Sequence, residues 1–142
     1  WMQHTDLSGV RYIGGDLVGD LIERNRAKYA SDGVTFQKID LVNDTLPAVD
    51  AILCRDCLVH LSFDDAQAAL ANIARSGARW LLTTSFPEVA RNDDIVTGQW
   101  RPINLTLPPF NLSEPKQVIA ENCAETEFAD KTLSLWPVED VR

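Results

Sequence analysis

The chain has 142 residues, 45% hydrophobic and 24% charged, with a formal net charge of −8. That is the composition of an ordinary globular domain with a real core, and no apolar run approaches the length of a membrane span. The negative balance weighs against nucleic acid, whose phosphates are met by Lys and Arg. Three cysteines suggest no disulfide framework, and the first residues lack the basic-then-apolar plan of a signal peptide. The expectation is a single cytoplasmic domain over 1–142.

Val10–Asp16 reads as a strand finishing on a carboxylate. A helix follows over about Asp20–Ala30, with Val18, Leu21, Ile22, Asn25 and Tyr29 inward, and Gly33 ends the turn after it. Val34–Asp40 is a second strand, again ending on Asp. A turn over Asn43–Pro47 leads into Val49–Cys54, an apolar run that reads as a strand buried on both faces, as in a parallel sheet. It breaks into Arg55 and Asp56. Ser62 is a good N-cap, and Asp65 three residues on resembles a capping box with the shorter acid. Ala66, Ala69, Leu70 and Ile73 recur at helical spacing, so a helix runs from Phe63 to Arg75 and stops at Gly77. Arg79–Thr84 is the next buried strand.

Strand-helix-strand occurs twice with short links, which predicts a parallel sheet with right-handed crossovers. Residues 87–115 then lose all rhythm and hold five prolines. Long irregular segments in compact domains are usually functional loops. Lys116–Glu121 and Thr132–Val138 read as strands, too close for an intervening helix, and so as an antiparallel hairpin.

In open α/β sheets, ligands bind at the carboxyl ends of the strands. Asp16 and Asp40 both stand there, where a carboxylate can accept hydrogen bonds from ribose hydroxyls or an adenine amino group. Each could instead cap the turn that follows it. Two such acids beside the polar break after a third strand favour a nucleoside site. A dinucleotide fold places a glycine-rich loop about 20 residues before its ribose acid. Counting back from Asp16 runs past Trp1, so either the first strand and its loop are missing or Gly14–Gly19 is the loop. The second option fits less well, because its glycines are misplaced and Asp16 would repel a pyrophosphate.

Cys54-x-x-Cys57-x-x-His60 lacks a second ligand cluster for zinc, since His4 and Cys123 are single and remote. No metal site is expected. A reactive Cys-x-x-Cys sits at a helix N-terminus, whereas the helix signal at Ser62 comes later; packing cysteines are the better reading. Trp100 beside Arg101 could bind a planar or anionic substrate. The preferred reading is that Trp100 and Phe110 staple the long loop to the sheet.

Tyr12–Val18, the acid Asp40 and the run Asp50–Leu61 together resemble class I S-adenosylmethionine-dependent methyltransferases, over nearly the whole chain. The resemblance implies a three-layer, Rossmann-like α/β fold with strand order 3-2-1-4-5-7-6 and an antiparallel C-terminal hairpin. It implies S-adenosylmethionine as cofactor and methyl transfer to a small molecule or protein side chain. Asp16 would hold the ribose with Leu17 packing on the adenine. Asp40 and Leu41 would match the adenine-amino contact, and Cys54 and Arg55 would lie under the methionine end. Ser62–Arg75 would be the helix after the fourth strand. The family's glycine-rich first motif has no counterpart, its place falling before Trp1, so the first strand is expected to be missing and Trp1–Asp6 to be the remains of the helix after it. Asp56 and His60 are the nearest candidates for a general base, needed only when the acceptor carries a proton. Each has a structural reading as well, Asp56 as a turn cap and His60 as a packing residue. The alternative function is a non-catalytic nucleotide-binding module or degenerate fragment. Exposed strand edges tend to recruit another chain, which leans the reading towards a homo-oligomer.

Overall fold

The computed structural model describes residues 5–141. The chain falls into two compact units, Trp1–Asp44 and Thr45–Arg142.

In the first unit, strand β1 (Tyr12–Asp16) leads into helix α1 (Gly19–Tyr29) and back to strand β2 (Val34–Lys38), which pairs parallel to β1. Ile22, Val34 and Phe36 form a small buried cluster, with Leu7, Tyr12 and Tyr29 packed against it. Of the residues expected inward on α1, Val18 departs: it is the exposed N-cap residue, one position before the helix begins. Gly14 and Gly15 lie inside β1 and not in a loop. A Cβ on Gly14 would come within 2.6 Å of the Phe36 ring, so the glycine is required by that ring's close approach. This removes the reading of Gly14–Gly19 as a phosphate-cradling loop. Gly33, at φ +80°, takes the left-handed turn the sequence assigned to it. The expected helical remnant at Trp1–Asp6 falls largely outside the described residues; Thr5 and Asp6 are not helical.

In the second unit, strand β3 (Ala51–Cys54), helix α2 (Phe63–Arg75) and strand β4 (Trp80–Ser85) form a parallel β-α-β unit. Strands β5 (Gln117–Ala120) and β6 (Thr132–Pro137) form the antiparallel hairpin, and β6 also pairs antiparallel with β4. The sheet order is β3-β4-β6-β5. With β1 and β2 as the second and third strands of the expected plan, the pairings reproduce its 3-2 and 4-5-7-6 portions. The architecture is the expected α/β one, with parallel pairs and an antiparallel ending.

Helix α2 matches its sequence pattern residue for residue. Ala66, Ala69 and Ile73 are fully buried and Leu70 nearly so. The Asp65 N–H donates to Ser62 Oγ at 3.2 Å, closing one half of the capping box. The other half runs through Thr97: the Ser62 N–H donates to Thr97 Oγ1, whose hydroxyl donates to the Asp65 carboxylate. Asp is one methylene shorter than Glu, and the Thr97 hydroxyl bridges the gap.

Strand β3 differs from expectation. Only one of its faces is covered: Cys54 is buried, while Leu53 is 47% exposed and Ala51 is exposed too. β3 is the edge of its four-stranded sheet. A largely apolar run predicts burial on both faces but cannot show whether both are covered in a given chain.

No helix or strand occurs between β4 and β5, yet this loop is tightly held. Asn104 donates to the carbonyls of Pro87 and Val89, and Asn92 to those of Asn104 and Pro108. Buried backbone groups that no ladder can satisfy are paired by side-chain amides instead. Among the described residues no helix is long and apolar enough to cross a membrane.

Candidate functional site

Asp16 is the last residue of β1, and its carbonyl accepts the Ile39 N–H at 3.0 Å. That bond carries the parallel pairing just past Lys38 and leaves Asp40 one residue further on. Both acids therefore stand at the same carboxyl edge of the β1-β2 sheet. Their side chains are used differently. Asp16 Oδ1 accepts the Val18 N–H at 2.8 Å, while Oδ2 receives no hydrogen bond from the described residues. Leu17, beside it, is 59% exposed. Asp40 is closed into its own turn: Oδ1 accepts from the Val42 and Asn43 N–H groups, and Oδ2 accepts from the Asn43 side-chain amide at 2.9 Å. The Asn43 amide, and after it the Val42 N–H, hold the Asp40 carboxyl below the usual carboxylate range. The capping reading is thus realised at Asp40, with Leu41 half-buried in the same turn. At Asp16 an oxygen is left open beside an apolar side chain.

At the end of β3 the chain turns sharply, with Asp56 in the left-handed region at φ 52°. The conformation is held by the Asp56 N–H, which donates to Thr84 Oγ1 at 2.8 Å. Asp, with its short polar side chain, tolerates this region better than most residues. The Asp56 carboxylate is gripped by Lys131, whose ammonium lies 2.7 Å from Oδ1 and 2.9 Å from Oδ2. Lys131 also approaches Glu121 at 3.4 Å, and Arg55 Nε donates to Glu121 at 2.7 Å. Two cations and two carboxylates thus form one cluster tying the end of β3 to the mouth of the β5-β6 hairpin. Burial works against the charge on Lys131, but the Asp56 and Glu121 carboxylates outweigh it and hold the amine above the ordinary lysine range.

Leu58–His60 form one 3₁₀ turn, with Leu58 and Val59 buried and His60 exposed. His60 is therefore not the packed residue its apolar neighbours suggested. Its Nδ1 lies 2.9 Å from the carbonyl oxygen of Gln99. A carbonyl can only accept, so Nδ1 carries the proton in the neutral ring and Nε2 keeps a lone pair.

The two chemical candidates come together. Asp56 and His60 line one cleft of about 440 Å³, with Phe86, Trp100, Phe128 and Lys131. Cys123 and Glu125, from the hairpin loop, complete its rim. The pair Trp100–Arg101 splits: Trp100 faces the cleft, while Arg101 is buried and donates to the carbonyls of Asp93 and Leu58. Phe110 is buried edge-on against Phe63, so it holds the loop to helix α2 and not to the sheet as expected. Cys54 is buried too. A hydrogen bond with Cys57, and burial after it, push its thiol well up, the reverse of the activation a redox pair needs. Sequence reading missed Phe86, Phe128, Lys131 and Glu121. Lys131 lies 75 residues from Asp56, and no local spacing announces such a partner.

No family model matches the chain, and no curated protein sequence is significantly similar to it. Solved structures are similar in fold. Human N-acetylserotonin methyltransferase in complex with SAM superposes with a TM-score of 0.62 at 12% identity, over 96% of this chain and 50% of that one. A Burkholderia thailandensis 1,6-didemethyltoxoflavin-N1-methyltransferase, with bound 1,6-didemethyltoxoflavin and S-adenosylhomocysteine, gives 0.60 at 14% identity, over 88% and 60%. The [4+2]-cyclase SpnF gives 0.51 at 19% identity, over 67% and 39%. The chain spans about 40–60% of the length of these proteins. It has the fold of the class I S-adenosylmethionine-dependent methyltransferases, and that fold also carries other chemistry.

Proposed function

We propose that both units belong to one methyltransferase domain that uses S-adenosylmethionine to methylate a small molecule. The observation that carries this is Asp16: a carboxylate at the end of a strand, one oxygen open, beside an exposed leucine. Ribose hydroxyls are donors and the adenine face is apolar, so Asp16 and Leu17 fit the nucleoside. Asp40 fits less directly, since Asn43 occupies Oδ2, but that oxygen has a second lone pair for an amino group. Leu41 stays with it as the apolar neighbour. In the second unit, Cys54 is sealed by burial and Arg55 is steadied by Glu121.

When bound, the cofactor supplies a methyl group already activated as a sulfonium, so the protein's work is alignment, exclusion of water and removal of a proton. His60 takes the last role. His60 lines the cleft, and with Nδ1 turned to the Gln99 carbonyl the ring's free lone pair is on Nε2, which can accept a proton from an acceptor hydroxyl or amine as the new bond forms. Asp56 is better suited to positioning, because Lys131 spans both of its oxygens.

A non-catalytic nucleotide-binding role would need only the Asp16 edge and would leave the His60 cleft without a purpose. Ultraviolet crosslinking with methyl-labelled S-adenosylmethionine tests the proposal. Labelling that excess S-adenosylhomocysteine suppresses is expected in the product of the complete reading frame; no specific labelling would overturn it.

A further inference from the structure

The cleft's aromatic wall and its charge say what kind of acceptor it would hold. Phe86, Trp100 and Phe128 meet edge to face, with centroids 4.7 Å apart for Trp100–Phe128 and 6.1 Å for the other two pairs. Trp100 is nevertheless 43% exposed. Phe86 is buried behind the other two, so the ring surface open to a ligand with a ring of its own is that of Trp100, with half-buried Phe128 beside it. A volume of about 440 Å³ lies within the size range of small-molecule sites.

The charges narrow the class. Lys131 is the one cation among the described residues lining the cleft, and Asp56 and Glu121 already hold it. Arg55, next to it, is taken by Glu121. Within that cluster the charges balance, two against two. Glu125 on the rim then adds a carboxylate with no ion pair among the described residues, in a chain of net charge −8. An anionic ligand would find repulsion and no free cation; a neutral or cationic one would find neither obstacle. His60 Nε2 asks for a donor on the ligand's edge.

We propose that this cleft takes a planar aromatic acceptor, uncharged or cationic, with a hydroxyl or N–H at its edge. The inference rests on the methyl-transfer reading for the word acceptor, but not for the binding itself. The test is therefore made without cofactor. Equilibrium dialysis is run with 2-naphthol and with 6-hydroxy-2-naphthoate, which keeps the ring and hydroxyl and adds a negative charge. Saturable binding of 2-naphthol is expected, at least about tenfold tighter than that of the carboxylate. Trp100→Ala should weaken 2-naphthol by about tenfold, the scale of one lost aromatic contact, and Trp80→Ala, outside the cleft, should not. Because Trp100→Ala could disturb the loop, Glu125→Lys gives an independent reading at an exposed position: it should narrow the gap between the two ligands. No saturable binding, equal affinities in the parent protein, indifference to Trp100→Ala, or an unchanged gap in Glu125→Lys would each overturn the proposal. Specific crosslinking of S-adenosylmethionine without naphthol binding would sink this inference alone. Naphthol binding without crosslinking would sink the methyltransferase reading and leave the cleft.

Discussion

The Ile39 N–H donates to the carbonyl of Asp16 at 3.0 Å, one step beyond the last paired residue of β2. That bond extends the parallel register of β1 and β2, which puts Asp16 and Asp40 on one edge. It also separates their roles, because the chain must turn at once after Ile39 and Asp40 is consumed in making that turn.

The Asp40 turn gives a pH signature. Its carboxyl is held below the usual range chiefly by the Asn43 amide and then by the Val42 N–H. A carboxyl depressed on folding stabilises above its unfolded pKa and loses that contribution as pH falls through the lower, folded value. In Asn43→Ala the Asp40 resonance should titrate closer to an ordinary aspartate in an NMR pH series, and the loss of stability with acid from this group should be smaller and end at higher pH. An unmoved titration would show that the side-chain amide is not the cause.

Lys131 gives the opposite sign. Its amine is held above the ordinary lysine range, so its contribution is intact at neutral pH and fades as pH rises through the folded value. Lys131→Ala should cost about 1–2 kcal/mol in chemical denaturation at pH 7, discounted because Asp56 is more than a third exposed. Asp56→Asn should bring the alkaline loss to lower pH. Equal alkaline profiles for parent and Asp56→Asn would break the link between them.

His60→Gln should lower the rate of methyl transfer by about 10²- to 10⁴-fold for an acceptor that must lose a proton. S-adenosylhomocysteine affinity should stay unchanged. Loss of cofactor affinity along with rate would make His60 a structural residue of its turn and not a base.

Helix α2 offers a test of packing alone. Ile73→Ala empties a fully buried position and should cost about 2–5 kcal/mol. Ser62→Ala removes the N-cap acceptor and should cost about 1 kcal/mol. Thermal or urea unfolding reads both, and a smaller loss at Ile73 than at Ser62 would contradict the assignment of the core face.

These residues also show where sequence was enough. Periodicity and capping chemistry are local, so Ser62, the Phe63–Arg75 helix and Gly77 could be read without a fold. The terminal hairpin followed from the short distance between two apolar runs. Asp16 could be placed at a strand end, but not its open oxygen. The exposed face of β3 could not be read, because Leu53 looks the same whether or not something covers it. Lys131 on Asp56 and Trp100 on Phe128 are long-range meetings set by how the hairpin folds back. The loop over 87–115 was legible only as irregular, since Asn92 and Asn104 order it through amides that could equally have faced water.

The most direct test of a cofactor grip at the β1 edge is calorimetric titration of S-adenosylhomocysteine into the product of the complete reading frame, beside Asp16→Ala. Saturable binding is expected in the parent, weakened in Asp16→Ala by about 1.5–3 kcal/mol, the value of a hydrogen bond to a charged group. No binding by the parent, or equal affinity in the two proteins, would contradict the account.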